Sequence, residues 1–366
     1  METATLFESV PNFSEGRRLD VVAAIANAAR SAHVLDIDSD ADHNRAVITL
    51  AASGPTLVDA LMRSIQAAIE SIDMRDHAGV HPRVGAADVV PIVPLRGSMT
   101  EAGELAGEVG ERVWTELHVP VYCYGAGSGK TLADIRGGRV PPDLGGPEHH
   151  LTAGAVCVGA RPLLLAFNVL LPGLDLASAL PLARSLRESA DGLRGVQALA
   201  FELPGQDVQL SMNLFRLDET GPAAVLTELE QRGVQLGAQE VVGLCPAASA
   251  LDAASGRILE GRLAATASRV GAERSTGRGD KEHLRLAARL DREAADLAGL
   301  GAGQEAMLAG AERAAALIQV LRAGKVIDME LETMLDVAAR GLRGALSESI
   351  SSRFEKRVEA LDRRLP

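Results

Sequence analysis

Several common features are scarce or absent in this sequence of 366 residues. Aromatic residues make up only 2% of it, so leucine, valine, isoleucine and alanine must fill its cores. No run of about 18 apolar residues occurs, which argues against a transmembrane helix. The first residues form neither the basic segment nor the apolar segment of a secretory signal peptide. We therefore expect a soluble, cytoplasmic protein.

Cysteine and positive charge are also in short supply. The three cysteines, Cys123, Cys157 and Cys245, are dispersed and form no Cys-x-x-Cys pair, so we expect buried, reduced thiols. The formal net charge is −12. General binders of nucleic acid or of anionic membranes need an excess of Lys and Arg, so the charge argues against both classes. A local basic pocket for a small anion remains compatible with it.

Hydrophobic periodicity predicts the element order βαββαβ twice. The first repeat has strands at 4–10, 34–38, 45–52 and 88–95, with helices from Ser14 as N-cap to about Arg30 and from Pro55 to Ile72. The second has strands at 162–171, 195–201, 208–214 and 238–243, with helices at 174–188 and 223–232. The repeat indicates an α/β (α+β) fold with two ferredoxin-like βαββαβ subdomains in tandem, each an antiparallel sheet covered on one face by helices.

The segments outside the two repeats have a different character. An extra helix at 100–117, a strand at 119–124 and a Gly/Pro-rich stretch at 125–154 stand between the repeats. We expect this stretch to line a ligand cleft, with a floppy connector as the alternative. Beyond Gly271 a polar linker leads into nearly all helix-forming sequence, which predicts three or four helices in a small bundle or dimerisation arm. The expected domains are 1–160, 161–273 and a C-terminal all-helical tail, 274–366.

The segment 73–94, DMRDHAGVHPRVGAADVVPIVP, is the most unusual stretch for chemistry. Histidine can exchange a proton near neutral pH. The His-Pro-Arg step at 81–83 places an imidazole beside a cation able to hold a carboxylate bidentately. Two alternatives stay open. One is a capped polar loop; the other is a metal site formed by His77 and the histidine of that step with Asp76 or Asp88, which lacks a third clear ligand at a familiar spacing.

A second polar cluster lies in VLDIDSDADHNRAVITL, residues 34–50. Asp36 and Asp38 alternate with apolar residues, so they share one face of a strand end, and Asn44 and Arg45 open the next strand. The four side chains could therefore converge on one rim of the sheet. An ordinary Asp/Asn-rich hairpin loop is the alternative.

The glycine-rich run GAGSGKT at 125–131 is similar to a phosphate-binding loop but fails its pattern. The pattern GxxxxGK[ST] needs a glycine where Tyr124 stands. We therefore interpret this run as a glycine-rich connector and predict no nucleotide site there.

Several blocks of sequence together resemble the formiminotransferase family. The first half carries ESVPNFSEGRR, DIDSDADHNRAVITL, IDMRDHAGVHPRVGAADVVPIVP, VPVYCYG, LADIRGG and HLTAGAVCVGARPLLLAFNVLL. The second half carries LRGVQALAFELPGQDVQLSMNL and QEVVGLCP. The blocks occur in order and with compatible spacing over about residues 6–265.

The resemblance implies a glutamate formimidoyltransferase of histidine degradation and one-carbon metabolism. Such an enzyme moves the formimidoyl group of N-formimidoyl-L-glutamate to N5 of tetrahydrofolate, giving 5-formimidoyltetrahydrofolate and L-glutamate. Tetrahydrofolate, often polyglutamylated, is the co-substrate, held in a cleft between two α/β subdomains of a homodimer, and no metal is implied. Two rival functions stay open: activation of 5-formyltetrahydrofolate in folate salvage by an enzyme of the same fold, and folate binding without turnover.

The resemblance also implies roles for single residues. The histidine of the His-Pro-Arg step is the family's catalytic base, which places that role on His81. Arg83, Arg45 and Arg161 are candidates to hold carboxylates of glutamate or folate. Asp38 is a candidate to orient an imidazole or the amidinium group.

The family's folate-binding loop corresponds to residues 145–154, GGPEHHLTAG. Its members are Gly145, Gly146, Pro147, Glu148, His149, His150, Leu151, Thr152, Ala153 and Gly154. Leu144, Gly146 and Leu151 replace a phenylalanine and two prolines that are frequent in the family, which predicts a more flexible backbone. Bifunctional relatives continue into a cyclodeaminase domain with a PGGGS-type segment; the tail lacks that segment, so we expect it to be non-catalytic.

Overall fold

The computed structural model describes residues 4–203, 208–347 and 350, so the end of the predicted tail, 351–366, lies outside the described residues. The described chain forms two compact units. The sheet unit contains Thr5–Thr220 and Leu226–Gly243, and the helical unit contains Gly221–Val225 and the residues from Leu244 onwards. The domain boundaries at 160 and 273 stay predictions about where the homologous subdomains end.

The sheet unit begins with a seven-stranded sheet. Its strands are β1 (Leu6–Ser9), β2 (Asn12–Phe13), β3 (His33–Asp40), β4 (Arg45–Ala52), β5 (Ala87–Arg96), β6 (Val121–Gly125) and β7 (Val156–Ala160). β1 and β2 follow one another and both pair with β4 and β5, so the spatial order is β3, β4, β1 with β2, β5, β7, β6. The pairs among β1 to β5 are antiparallel, whereas β7 is parallel to β5 and β6. The first predicted βαββαβ sheet is confirmed, with two parallel strands added at one edge.

Three helices pack with this sheet into one hydrophobic core: α1 (Leu19–Ala28), α2 (Gly54–Ser71) and α3 (Met99–Leu117). Leu57, Leu61 and Ile65 of α2 follow helical spacing and are fully buried, which stabilises the fold by roughly 1.5–3 kcal/mol for each side chain. A short helix, α4 (Leu132–Arg136), belongs to a smaller cluster that also holds Cys157. Because alternate residues of β7 join the two clusters, α4 lies on the opposite face of the sheet from the three long helices.

The start of α1 differs from the prediction. Ser14 does not cap it, because its hydroxyl donates to the carbonyl of Gly85 (2.7 Å). This bond joins the segment to the residues just before β5. The helix begins at Leu19, and the carboxylate of Glu15 accepts the backbone N–H of Arg18 (2.9 Å). Arg18 is the N-cap residue and makes no side-chain capping hydrogen bond, so α1 begins without a side-chain cap and Glu15 holds only the segment just before it.

The second half of the sheet unit is a separate four-stranded antiparallel sheet. Its strands are β8 (Leu165–Leu171), β9 (Val196–Glu202), β10 (Val208–Leu214) and β11 (Gln239–Val242), in the order β11, β8, β10, β9. The helices that alternate with these strands are α5 (Leu176–Leu186) and α6 (Pro222–Gln231). The order of fourth, first, third and second strand is also found for β5, β1, β4 and β3, so the prediction of two ferredoxin-like repeats is confirmed.

Four helices make up most of the helical unit: α7 (Leu259–Thr276), α8 (Lys281–Ala298), α9 (Gln304–Ala323) and α10 (Met329–Gly344). α7 packs against the other three, and α9 packs against α10. Gly271 of α7 permits one close approach, since a Cβ there would stand 2.4 Å from Leu321. The predicted helical tail is confirmed over the described part of the chain, in which no helix is long and apolar enough to cross a membrane.

Candidate active site

Three segments meet beside the start of β4, and Asn44 joins them. Asn44 has a left-handed backbone (φ 47°), and its Oδ1 accepts the N–H of Gly16 (3.0 Å). Its Nδ2 donates to the carbonyl of Ala78 (3.0 Å). A Cβ on Gly16 would stand 2.1 Å from the carbonyl oxygen of Asp40, so only glycine fits there. The blocks NFSEG, DHN and DHAG, far apart in sequence, are thereby held in one place.

Arg83 fastens the His-Pro-Arg loop to the β3–β4 turn. Its Nε and Nη2 donate to the carbonyl of His81 (3.0 and 2.7 Å), Nη2 also donates to the carbonyl of His43 (2.8 Å), and Nη1 donates to that of Asn44 (3.0 Å). Burial lowers the pKa of Arg83 to about 10, which leaves the side chain charged at neutral pH. The structure thus places Arg83 as a clamp on the loop backbone; its expected role of holding a substrate carboxylate stays a prediction.

Asp88 lies fully buried between two arginines. Its carboxylate accepts hydrogen bonds from Arg45 Nη1 (2.7 Å), Arg136 Nη2 (2.8 Å) and the N–H of Val84 (2.6 Å). Burial alone would raise the pKa of Asp88, but the charges of Arg45 and Arg136 outweigh it, so the pKa is lowered and the group is ionised. Arg45 also donates to Asn12 Oδ1 (2.7 Å), which occupies the guanidinium that we expected to hold a substrate carboxylate.

His81 is held as a neutral imidazole. Its Nδ1 lies 2.7 Å from the carbonyl oxygen of Pro82, which can only accept, so Nδ1 carries the proton and Nε2 keeps its lone pair. Burial, followed by the charges of Arg45 and Arg136, lowers the pKa of His81 to about 2. The unprotonated Nε2 can accept a proton, but a pKa this low makes His81 a weak base while the charges of Arg45 and Arg136 are not offset.

Two aromatic neighbours of His81 were not predicted. The His43 ring centroid lies 6.3 Å from that of His81, and His43 Nδ1 contacts Asp40 Oδ2 at 2.9 Å. Phe201 of β9 lies 5.8 Å from both imidazoles, so the second ferredoxin-like repeat supplies one wall of the site. His43 could have been found as the histidine of the polar DHN turn, whereas a single phenylalanine in an apolar strand gives no signal.

Two other predicted residues have partners outside the His-Pro-Arg loop. Asp38 of β3 accepts the N–H of Gly243 (3.1 Å), so it joins the first sheet to the end of β11. Arg161 follows β7 and is hydrogen-bonded to Tyr124, whereas Gly154 precedes β7 and pairs with Gly85 near the His-Pro-Arg loop. Gly154 and Arg161 are seven residue steps apart, which is roughly 23 Å of extended chain at about 3.3 Å per residue. The structure therefore does not bring Arg161 together with the loop that carries the candidate base.

The predicted folate loop ends in a closed turn. His150 and Gly154 exchange two backbone hydrogen bonds (2.8 and 2.9 Å), and His150 Nδ1 accepts the N–H of Ala153 (3.1 Å). Gly154 has φ 71°, and a Cβ there would stand 2.2 Å from the carbonyl oxygen of Val84. The loop thus packs against the backbone of Val84, the residue after Arg83. Leu151, at a position where the family often has proline, is 74% exposed.

A cavity of about 480 Å³ opens between the folate loop, the segment after α4 and the start of β5. Its volume lies in the range of small-molecule sites. Its lining includes Arg83, Arg136, Arg139, Tyr122, Pro147 and His149. The Tyr122 hydroxyl contacts His149 Nε2 at 2.8 Å, so two members of the lining are paired with each other. The Gly/Pro-rich stretch thus lines a cavity, as predicted.

Comparisons with known proteins agree with this arrangement. The family model described as the N-terminal subdomain of the formiminotransferase domain matches residues 6–161. A glutamate formimidoyltransferase of Thermoplasma acidophilum is 39% identical over 277 residues, which cover 68% of this chain and 91% of the relative. The chain belongs to the formiminotransferase family. The resemblance that the sequence blocks indicated is confirmed, and with it the assignment of the chain as a transferase.

Other members of the formiminotransferase family show the same extent of similarity. A glutamate formimidoyltransferase of Streptococcus pyogenes is 35% identical over 280 residues, covering 69% of this chain and 92% of the relative. The formimidoyltransferase-cyclodeaminase of Rattus norvegicus is 35% identical over 281 residues, covering 68% of this chain and 52% of the relative. About a third of this chain thus stands outside each alignment.

The side chains considered for a metal site have other partners in this formiminotransferase. His77 Nδ1 lies 2.9 Å from Arg83 Nη1, and Asp88 is bound by two guanidinium groups. Among the described residues, no group of three or more His, Cys, Asp and Glu side chains is arranged to hold a metal ion. What the site does combine is a neutral imidazole, a surplus of guanidinium groups and a cavity, which suits proton removal beside an anionic substrate.

Proposed function

We propose that this enzyme transfers the formimidoyl group of N-formimidoyl-L-glutamate to N5 of tetrahydrofolate, giving 5-formimidoyltetrahydrofolate and L-glutamate. The observation that carries the proposal is the neutral imidazole of His81, held by the Pro82 carbonyl and placed two residues before Arg83, which lines a cavity rich in arginine. It occurs in a chain that is 35–39% identical to proteins named glutamate formimidoyltransferase.

The proposed chemistry is an addition followed by an elimination. N5 of the reduced pterin attacks the amidine carbon, and the N5–H proton passes to Nε2 of His81. The tetrahedral intermediate then breaks its bond to the glutamate nitrogen, which takes the proton back from the imidazolium. General base and acid catalysis of this kind typically contributes about 10²–10⁴-fold in rate.

The remaining parts of the site would align the two substrates. We infer that tetrahydrofolate binds at the loop 145–154, which is fastened behind Arg83 by Gly154 and Val84. Asp38 would orient the amidinium group, and Arg45 and Arg83 would act by fixing the loops that carry His81. Rigid alignment of two reactants can remove about 7–11 kcal/mol of the barrier. We also propose a homodimer that acts in the cytoplasm in histidine degradation, without a metal.

The proposal is tested by a substrate panel with the full chain. Tetrahydrofolate is mixed with N-formimidoyl-L-glutamate, quenched in acid, and read for the ultraviolet absorbance of methenyltetrahydrofolate. We expect absorbance that grows with enzyme and with this donor. Turnover of 5-formyltetrahydrofolate alone would establish the salvage function instead, and tight folate binding with no transfer would establish a binding protein.

A further inference from the structure

Positive charge exceeds negative charge beside the candidate base. Arg45, Arg83 and Arg136 surround one buried carboxylate, Asp88, which binds Arg45 and Arg136. The donors of Arg83 end on backbone carbonyls and on an imidazole, and no ion pair joins Arg83 to a carboxylate anywhere in the described chain. Three cations and one anion leave a formal excess of two positive charges. Buried positive charge is costly unless an anion lies close to it.

Arg136 carries the unused donor. Its Nη2 holds Asp88, but its Nε is shielded from solvent and meets no hydrogen-bond acceptor among residues 4–203 and 208–347. The side chain is only 16% exposed and lines the cavity of about 480 Å³. A buried N–H without an acceptor is costly, so a turn of the guanidinium that presents Nε to a ligand oxygen would remove a penalty as well as form a bond.

Two further cations near the cavity are already paired. Arg139 forms an ion pair with Asp134 (2.9 Å) and is 61% exposed. Lys130 forms one with Asp143 (2.6 Å). Neither of these cations contributes to the excess, which therefore lies on the side of the cavity where Arg83 and Arg136 stand.

We propose that this cavity, with Arg136 as its anchor, binds the two carboxylates of a glutamyl group. The inference rests on the proposed function, because N-formimidoyl-L-glutamate and tetrahydrofolate both carry such a group. Two carboxylates match the excess of two positive charges, and a guanidinium group forms the strongest hydrogen bonds available to a carboxylate. The ligand class is a dicarboxylate of glutamyl length, and the two substrates are its two possible sources.

A dicarboxylate bound there would also act on the candidate base. Besides burial, the charges of Arg45 and Arg136 lower the pKa of His81. Carboxylates beside Arg136 offset its charge, so the pKa of His81 rises and His81 becomes a stronger base once the glutamyl group is bound. Substrate binding and readiness for proton transfer are thereby linked.

The test measures binding without turnover, by calorimetry on the full chain at low ionic strength. The donor arm uses N-formyl-L-glutamate, and the acceptor arm compares pteroylglutamate with pteroate, which lacks the glutamyl group. Arg136→Gln is compared with Arg136→Lys and with Arg112→Gln. Arg112 is a matched control on the surface of α3, where it pairs with Asp59 and Glu116.

We expect Arg136→Gln to lower the affinity for at least one glutamyl probe by about 10- to 100-fold, because a charge-assisted hydrogen bond is lost. Arg136→Lys should weaken it less, and Arg112→Gln should leave it within about twofold. The arm that responds identifies the substrate. Unchanged binding of both probes by a folded Arg136→Gln protein would overturn the proposal.

If Arg136→Gln does not fold, binding of the same probes to the wild-type protein tests the proposal. Equal affinity for pteroate and pteroylglutamate, together with no binding of N-formyl-L-glutamate, would then overturn the proposal. Tighter binding of pteroylglutamate than of pteroate, or binding of N-formyl-L-glutamate, would support the proposal. These readouts need no catalysis, so an absence of formimidoyl transfer would count against the proposed function and not against the dicarboxylate site.

Discussion

Phe201 places an aromatic ring against both imidazoles of the candidate site, at 5.8 Å from each. We expect Phe201→Leu to lower kcat about 10-fold with little change in KM, because the ring limits how the His81 imidazole can turn. Steady-state kinetics measure kcat and KM separately. Phe215→Leu, at a partly exposed position after β10, is the control. Equal kcat in the two variants would show that the ring does not position the base.

Glu260 of α7 is a buried carboxyl group in the helical unit. It is 8% exposed, its Oε2 accepts the N–H of Ala247 (2.9 Å), and it packs so closely on Gly341 that a Cβ there would stand 2.5 Å from Oε1. Burial raises the pKa of Glu260 from 4.5 to about 7. The protonated form therefore favours the fold, with its full effect below about pH 4.5 and a loss as pH rises through about 7.

The loss of stability as Glu260 ionises predicts how a variant without this carboxyl group responds to pH. Glu260→Gln keeps an oxygen for Ala247 but cannot ionise, so it should raise the free energy of unfolding at pH 8.5 by about 3 kcal/mol. At pH 5 its effect should be small. Urea unfolding at the two pH values measures the difference, with the exposed Glu273→Gln on the same helix as control. A gain that is equal at both pH values would contradict the assignment.

At the scale of single elements, glycines decide whether the site's loops can meet. A Cβ at Gly16 would stand 2.1 Å from the Asp40 carbonyl oxygen, whereas a Cβ at Gly107, inside α3, would have no atom within 4 Å. We expect Gly16→Ala to destabilise the protein by about 2 kcal/mol or more and to reduce transfer. Gly107→Ala should stabilise it by about 0.5–1 kcal/mol. Thermal melts of both variants would contradict this account if Gly16→Ala were neutral.

Elements with strong periodicity were predictable, and short ones were not. A run of apolar residues after the turn-forming SDADHN identified β4, and apolar residues at helical spacing identified α2. β7 (Val156–Ala160) was missed because it has no polar alternation, since both of its faces are buried. α4 has five residues, too few for a helical period. The error at Ser14 arose because its hydroxyl has a distant partner, the carbonyl of Gly85.

At the scale of the whole molecule, the candidate base was predictable and its surroundings were not. His81 stands in a sequence block that resembles the family's, so its position could be proposed from the sequence. Asp88 and Arg136 are 48 residues apart and meet only through the fold. Arg83 looked suited to a substrate carboxylate, but its neighbours in space are carbonyl oxygens, which no local pattern reveals.

Removal of the helices after α7 tests how the helical unit contributes to the molecule. A chain that ends at Gly277 keeps α7 but loses α8, α9 and α10, so Leu263, Ala264 and Ala267 of α7 lose the partners that bury them. Exposed apolar surface costs about 25 cal/mol per Å². We expect this shortened chain to keep transferase activity but to melt at a lower temperature or to dissociate more readily.

Thermal melts, light scattering and the transfer assay check this expectation together. A shortened chain with unchanged melting and oligomeric state but no activity would show that the tail belongs to the active site. Full activity with a lower melting temperature would show that the tail stabilises a catalytic region which lies before it in the sequence.

The most direct test of the account is the rate of formimidoyl transfer to tetrahydrofolate in His81→Ala. The base is neutral and its ring is not a part of the core, so the variant should fold and bind folate while its rate falls by about 10²–10⁴-fold. His77→Ala, which loses contacts with Arg83 and with the backbone of Ser14, should retain much more activity. A His81→Ala enzyme that transfers the formimidoyl group at a near-normal rate would contradict the central claim.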